Sequence, residues 1–166
     1  MGDPFDTDPF GSFTTGTGAG GGGSGTNAIT TFSVGKVHHY HQTSGGAPTL
    51  DPGTPYGFAG ATTLSSNRTA NSVALTLPTG SVSNLTHLPA PQAEIFLMSP
   101  YSTSLSTYDA TFPAGNYSFF VQADTSNQTV VVNLPTTNSM PQPGAPHLTN
   151  YLAAQVVNPN QTFVLA

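Results

Sequence analysis

Charge is the first thing this chain lacks: it has two Lys+Arg and seven Asp+Glu in 166 residues, 5% charged in all, against roughly 25% in an ordinary globular domain. Two cations cannot neutralise a run of phosphates, so nucleic acid is excluded as a partner. A polybasic hold on a membrane surface fails for the same reason, and no run of about 18 apolar residues is present to insert as a spanning helix. Cysteine is absent, which removes a disulfide framework, a thiolate nucleophile and every Cys-based metal site. Tryptophan is absent too, which counts against a sugar-stacking face. The one dense glycine run, Gly20 to Gly23, has no Lys after it to cradle a phosphate.

What fills the chain instead is small and polar. Thr contributes 25 residues, Ser 16 and Asn 11, and Gly and Pro add 18 and 15. These residues favour strands and turns over helices. Residues 1–25 hold half of the glycines and three aspartates, with only Phe5, Phe10 and Phe13 as large apolar side chains. They are expected to form a disordered acidic and then Gly-rich tail or linker. Residues 26–166 are expected to form one domain, with residues 145–166 opening a further module or an exchanged strand.

The apolar pattern of that domain has period two. Val73, Leu75 and Leu77 alternate with Ala74 and Thr76, and Tyr117, Phe119 and Val121 alternate with Ser118, Phe120 and Gln122. Each run reads as a strand with one buried face. Further strands are expected at 29–34, 37–41, 56–63, 94–98, 129–134, 148–157 and 161–165. Only 102–108 and 151–157 leave room for a turn of helix. Short strands punctuated by Pro and Gly predict an all-β fold, an antiparallel β-sandwich of immunoglobulin-like or jelly-roll type.

Candidate chemistry is sparse. In His38-His39-Tyr40-His41, a continuous strand would project His39 and His41 from one face, about 7 Å apart. Two imidazoles so placed can share a zinc or copper ion, with His87, His147 or Asp51 completing the set. Tyr40, Tyr56, Tyr101, Tyr108 and Tyr151 are candidate platforms for a polysaccharide, while Tyr117 is assigned to the core. Sequons stand at Asn67, Asn84, Asn116, Asn127 and Asn160. Ile29, Phe32 and Val34 follow the linker and make residues 29–34 the likeliest donated strand in a strand-exchanging assembly. Glu94, Asp109 and Asp124 fall on separate segments and no Gly-x-Ser-x-Gly elbow is present, so an enzyme is not expected.

Residues 108–121, Tyr-Asp-Ala-Thr-Phe-Pro-Ala-Gly-Asn-Tyr-Ser-Phe-Phe-Val, resemble the "F-P-x-G-x-Y" strand of immunoglobulin-like modules in large secreted bacterial surface proteins. Leu75-Thr76-Leu77-Pro78-Thr79-Gly80, followed by Val82 and Leu85, is similar to a hairpin of the same modules. The resemblance implies that Gly115 makes a turn, that Tyr117 begins a strand, and that the setting is extracellular or at the cell surface. The expected function is a non-catalytic structural or adhesive module, meeting its own subunits or neighbouring modules. Carbohydrate binding is the alternative, and a histidine metal site a third reading.

Overall fold

The computed structural model describes residues 28–65, 68–89, 94–124, 126–136, 145, 147–157, 162 and 164. The expected N-terminal tail, Asn67, Asn160 and most of the expected strand at 161–165 lie outside them. Eleven strands and two short helices follow in the order β1 (Ile29–His38), β2 (Tyr40–His41), β3 (Thr49–Leu50), β4 (Tyr56–Leu64), β5 (Ala70–Thr76), β6 (Val82–Asn84), β7 (Thr86–Pro89), β8 (Glu94–Met98), β9 (Tyr101–Ser102), α1 (Leu105–Thr111), β10 (Gly115–Ala123), β11 (Asn127–Leu134) and α2 (Tyr151–Ala154).

They form two antiparallel sheets and a small ribbon, an all-β fold arranged as a sandwich. The first sheet has the order β1-β4-β8-β7, with β9 paired to the start of β4. The second has the order β11-β10-β5-β6, and β2 pairs with β3 apart from both. The period-two pattern decides which side of each strand faces inward. Val73 and Leu75 of β5, Tyr117, Phe119 and Val121 of β10, and Val132 and Leu134 of β11 are buried. They meet Val34 of β1, Phe58 and Leu64 of β4 and Phe96 of β8 from the other sheet.

Aromatic rings bridge the layers. Phe58 stacks on Phe112 with centroids 4.3 Å apart and on Tyr117 at 5.4 Å, and Phe32 meets Phe119 edge-on at 6.4 Å. A ring as fully buried as Phe58 or Phe119 contributes about 1.5–3 kcal/mol of transfer free energy. Opposite them Gly60 keeps the sheets close, because a Cβ there would stand 2.9 Å from Leu75 Cδ2.

Two turns are specified by glycine. Between β5 and β6, Gly80 donates its N–H to Leu77 O at 2.9 Å and Leu77 donates to Ser81 O at 2.8 Å, with Gly80 at φ +87°. Gly115 opens β10 at φ +139°, and a Cβ on it would press on Pro78 Cβ at 3.0 Å. Both positions favour a residue without a side chain.

Two expected strands turn out differently. Within 148–157 the chain makes a turn and then α2, where Ala154 is buried. The segment is held by the Gln42 carboxamide, which donates to Leu148 O and accepts from Leu148 N, both at 2.9 Å. The expected strand 37–41 breaks at His39, so that His38 ends β1 while Tyr40 and His41 pair with β3.

Candidate binding surfaces

The break at His39 undoes the parity that would align His39 with His41. His39 donates its backbone N–H to Pro55 O and accepts from Asp51 N, both at 2.9 Å. Its ring meets Tyr101 edge-on at 5.3 Å. His41 lies in the small ribbon, paired with Thr49, and its Nδ1 is buried without a hydrogen-bond partner. The three groups expected to complete a metal site stand elsewhere. His87 stacks on Phe96 and pairs through Nε2 with Glu94. His147 Nε2 lies 3.4 Å from Gly45 O. Asp51 Oδ1 accepts the N–H groups of Gly53 at 2.8 Å and Thr54 at 2.7 Å, closing a turn. The Thr54 and Gly53 amides hold its carboxyl below the usual carboxylate range. Among the described residues no three His, Asp or Glu side chains are grouped to hold an ion.

The tyrosines do not form one platform. Tyr108 corrects the expectation most sharply: it is 1% exposed and belongs to the core. Ser104 caps α1, its side chain accepting from Thr107 N, and the helical period then turns Tyr108 inward. There its hydroxyl donates to Gly57 O at 2.6 Å, and burial pushes the group well above its ordinary pKa. Tyr56 stacks on it at 5.8 Å and receives His38 edge-on at 5.2 Å. Tyr40, Tyr56 and Tyr151 are half-buried, which leaves Tyr101, 51% exposed.

Residues 29–34 form the outer part of β1, in register with β4 of the same chain from Ile29↔Leu64 to His38↔Tyr56. Val34 is buried, and Ile29 and Phe32 pack against the core. The strand proposed for exchange thus completes the sheet of its own subunit. β11 lies alongside, and Gln128 Oε1 accepts from Ala28 N at 3.1 Å.

Charge is committed internally. Lys36 Nζ lies 2.6 Å from Asp109 Oδ1 and 4.6 Å from the Tyr108 ring centroid. Arg68, itself buried, reaches Asp124 Oδ1 through Nε and NH2, both at 2.9 Å. These are the only Lys and Arg of the chain. With Glu94 on His87 and Asp51 in its turn, every carboxylate after residue 26 also has a structural partner.

A surface the tyrosine-centred reading passes over lies on the outer side of the second sheet. Registers place Asn84, Ala74, Phe120 and Thr129 in one row across the four strands, and Val82, Thr76, Ser118 and Val131 in the next. Ser72, Gln122 and Asn127 form a row to one side, and Asn116 and Asn133 one to the other. No side chain in these rows is ionisable. Phe120 is 41% exposed, Val131 46% and Val82 63%. Asn133 Nδ2 donates to Asn116 Oδ1 at 2.8 Å, and Ser72 Oγ to Gln122 Oε1 at 3.2 Å. All three sequons within the described residues, Asn84, Asn116 and Asn127, share this face. The signal available in the sequence was Phe120 itself, a large apolar residue at an outward position between Ser118 and Gln122.

No helix among the described residues is long and apolar enough to cross a membrane. Compared with protein-family models, curated proteins and solved structures, the chain matches none of them.

Proposed function

We propose that this chain is a non-catalytic extracellular module, a structural or adhesive β-sandwich unit of a surface assembly. The observation that carries the reading is the commitment of charge. Lys36, Arg68, Asp51, Glu94, Asp109 and Asp124 are each tied to an internal partner. General acid–base work needs a carboxylate or imidazole poised toward a substrate, and here the four carboxylates hold a turn, strand ends and a helix in place. What the molecule offers outward instead is a sheet face without ionisable groups.

The finer kinship, to immunoglobulin-like modules of bacterial surface proteins, is supported by Tyr117. Its hydroxyl donates to Pro113 O four residues upstream at 2.8 Å, the form of the tyrosine corner of such sandwiches. The setting at the cell surface and the partners, copies of itself or neighbouring modules, belong to the same proposal.

The test pairs solution mass by light scattering with a hydrolase screen. A ladder of multiples of 17.0 kDa supports a packing subunit, and a strict monomer supports a tethered adhesive unit. Turnover of a polysaccharide, ester or peptide that is lost on replacing one of the four carboxylates overturns the reading.

A further inference from the structure

We infer that the outer face of the second sheet binds an uncharged polysaccharide, with Phe120 as its apolar centre. This deepens the adhesive reading above and rests on it. The argument begins with charge. The chain carries a formal net charge of −5, and Lys36 and Arg68 are both held in internal ion pairs, so neither offers an acidic glycan an uncommitted counter-charge. The face itself has no ionisable side chain, so a charged ligand would lose its hydration there without compensation. A neutral polymer whose edges are hydroxyl groups loses nothing of that kind.

The chemistry of the face fits such a polymer. Nine of its outward side chains carry a carboxamide or hydroxyl: Ser72, Thr76, Asn84, Asn116, Ser118, Gln122, Asn127, Thr129 and Asn133. Amides and hydroxyls both donate and accept, as sugar hydroxyls do. Phe120 and Val131 offer apolar surface for the C–H side of a sugar ring.

Two of the polar pairs are already oriented. The bond from Asn133 to Asn116 uses one polar atom of each amide, leaving Asn116 Nδ2 and Asn133 Oδ1 for a ligand, and the Ser72–Gln122 bond leaves Gln122 Nε2 at the other end of the face. Side chains fixed before binding lower the entropy lost on binding. A second copy is the less suited occupant, because protein–protein hot spots lean on Trp, Tyr and Arg, and this face has none.

Affinity gel electrophoresis of the full chain tests the inference, with a mixed-linkage β-glucan, a galactomannan and hydroxyethylcellulose as probes and polygalacturonate as the anionic control. Retardation by at least one neutral polymer and none by polygalacturonate is expected. Phe120→Ala should weaken that retardation about tenfold and Asn133→Ala several-fold, while Phe120→Tyr and Tyr101→Ala should leave it in place. Phe120 projects outward, so its replacement leaves the core intact, and an unchanged urea midpoint verifies this. No retardation by any neutral probe, retardation indifferent to Phe120→Ala, or self-association that Phe120→Ala abolishes overturns the inference. Release of reducing ends from a bound polymer would instead overturn the non-catalytic reading and leave the surface standing.

Discussion

Tyr117 reaches back four residues to hydrogen-bond Pro113 O, and Gly115 between them adopts a φ that L side chains rarely take. The bond and the glycine together fix how the chain leaves α1 and enters the central strand of the second sheet. Tyr117 is also the ring on which Phe58 stacks from the facing sheet, so one residue ties a turn to the core.

Removing that hydroxyl leaves a carbonyl in want of a donor at a part-buried site. Tyr117→Phe should cost about 1–2 kcal/mol in urea unfolding, and Tyr108→Phe, which strands Gly57 O, should cost a similar amount. Variants as stable as the parent would show that water replaces both bonds.

Three glycines should separate backbone strain from crowding. Gly80→Ala meets open space but keeps a positive φ, so about 1 kcal/mol is expected. Gly115→Ala adds a contact with Pro78 and should cost more. Gly35→Ala has neither problem and should be neutral or gain about 0.5 kcal/mol by restricting the unfolded chain. A reversed order in measured midpoints would refute this account.

Arg68 should matter more than Lys36. The two cationic side chains are enclosed alike, but Arg68 reaches its carboxylate through two nitrogens, and Asp124 is 35% exposed where Asp109 is 52% exposed. Arg68→Met is expected to cost about 1–2 kcal/mol, and Lys36→Met under about 1, because the second pair lies closer to solvent. A double-mutant cycle for each pair measures the difference.

His38 should make the sandwich acid-sensitive. Burial holds its imidazole below the ordinary value, with Asp109 pulling the other way. A histidine whose folded-state pKa is depressed binds more protons when unfolded. Its contribution is therefore complete above about pH 6.5 and is lost as pH falls below that value. Urea midpoints at pH 7.5 and 5 should show the loss, and His38→Phe, which retains an aromatic edge against Tyr56, should flatten it. Asp51 acts in a separate window: its depressed pKa supplies stability above about pH 4 that disappears below.

Zinc and copper should leave the unfolding midpoint unchanged, since His39 and His41 face different partners. A metal-dependent rise that His39→Ala removes would restore the third reading of the sequence.

The sandwich was legible because alternation is a local property. Val73, Leu75, Tyr117, Phe119 and Val121 are buried where period two puts them, and the Leu77–Gly80 turn falls where the resemblance implied a hairpin. The surfaces were less legible, because they depend on parity across breaks. One break in the strand, at His39, parts its ring from that of His41, and one helical turn after Ser104 carries Tyr108 into the core. Phe120 was placed outward by the same alternation. Its row, shared with Asn84 and Thr129, appears only once the order β11-β10-β5-β6 is known.

The clamp between Gln42 and Leu148 sets an order of yielding under tension. A pull on the chain beyond α2 loads those two hydrogen bonds before it loads β11, whose whole length is laddered to β10. A unit tethered in a strained assembly would thereby give way at this clamp before it lost its core.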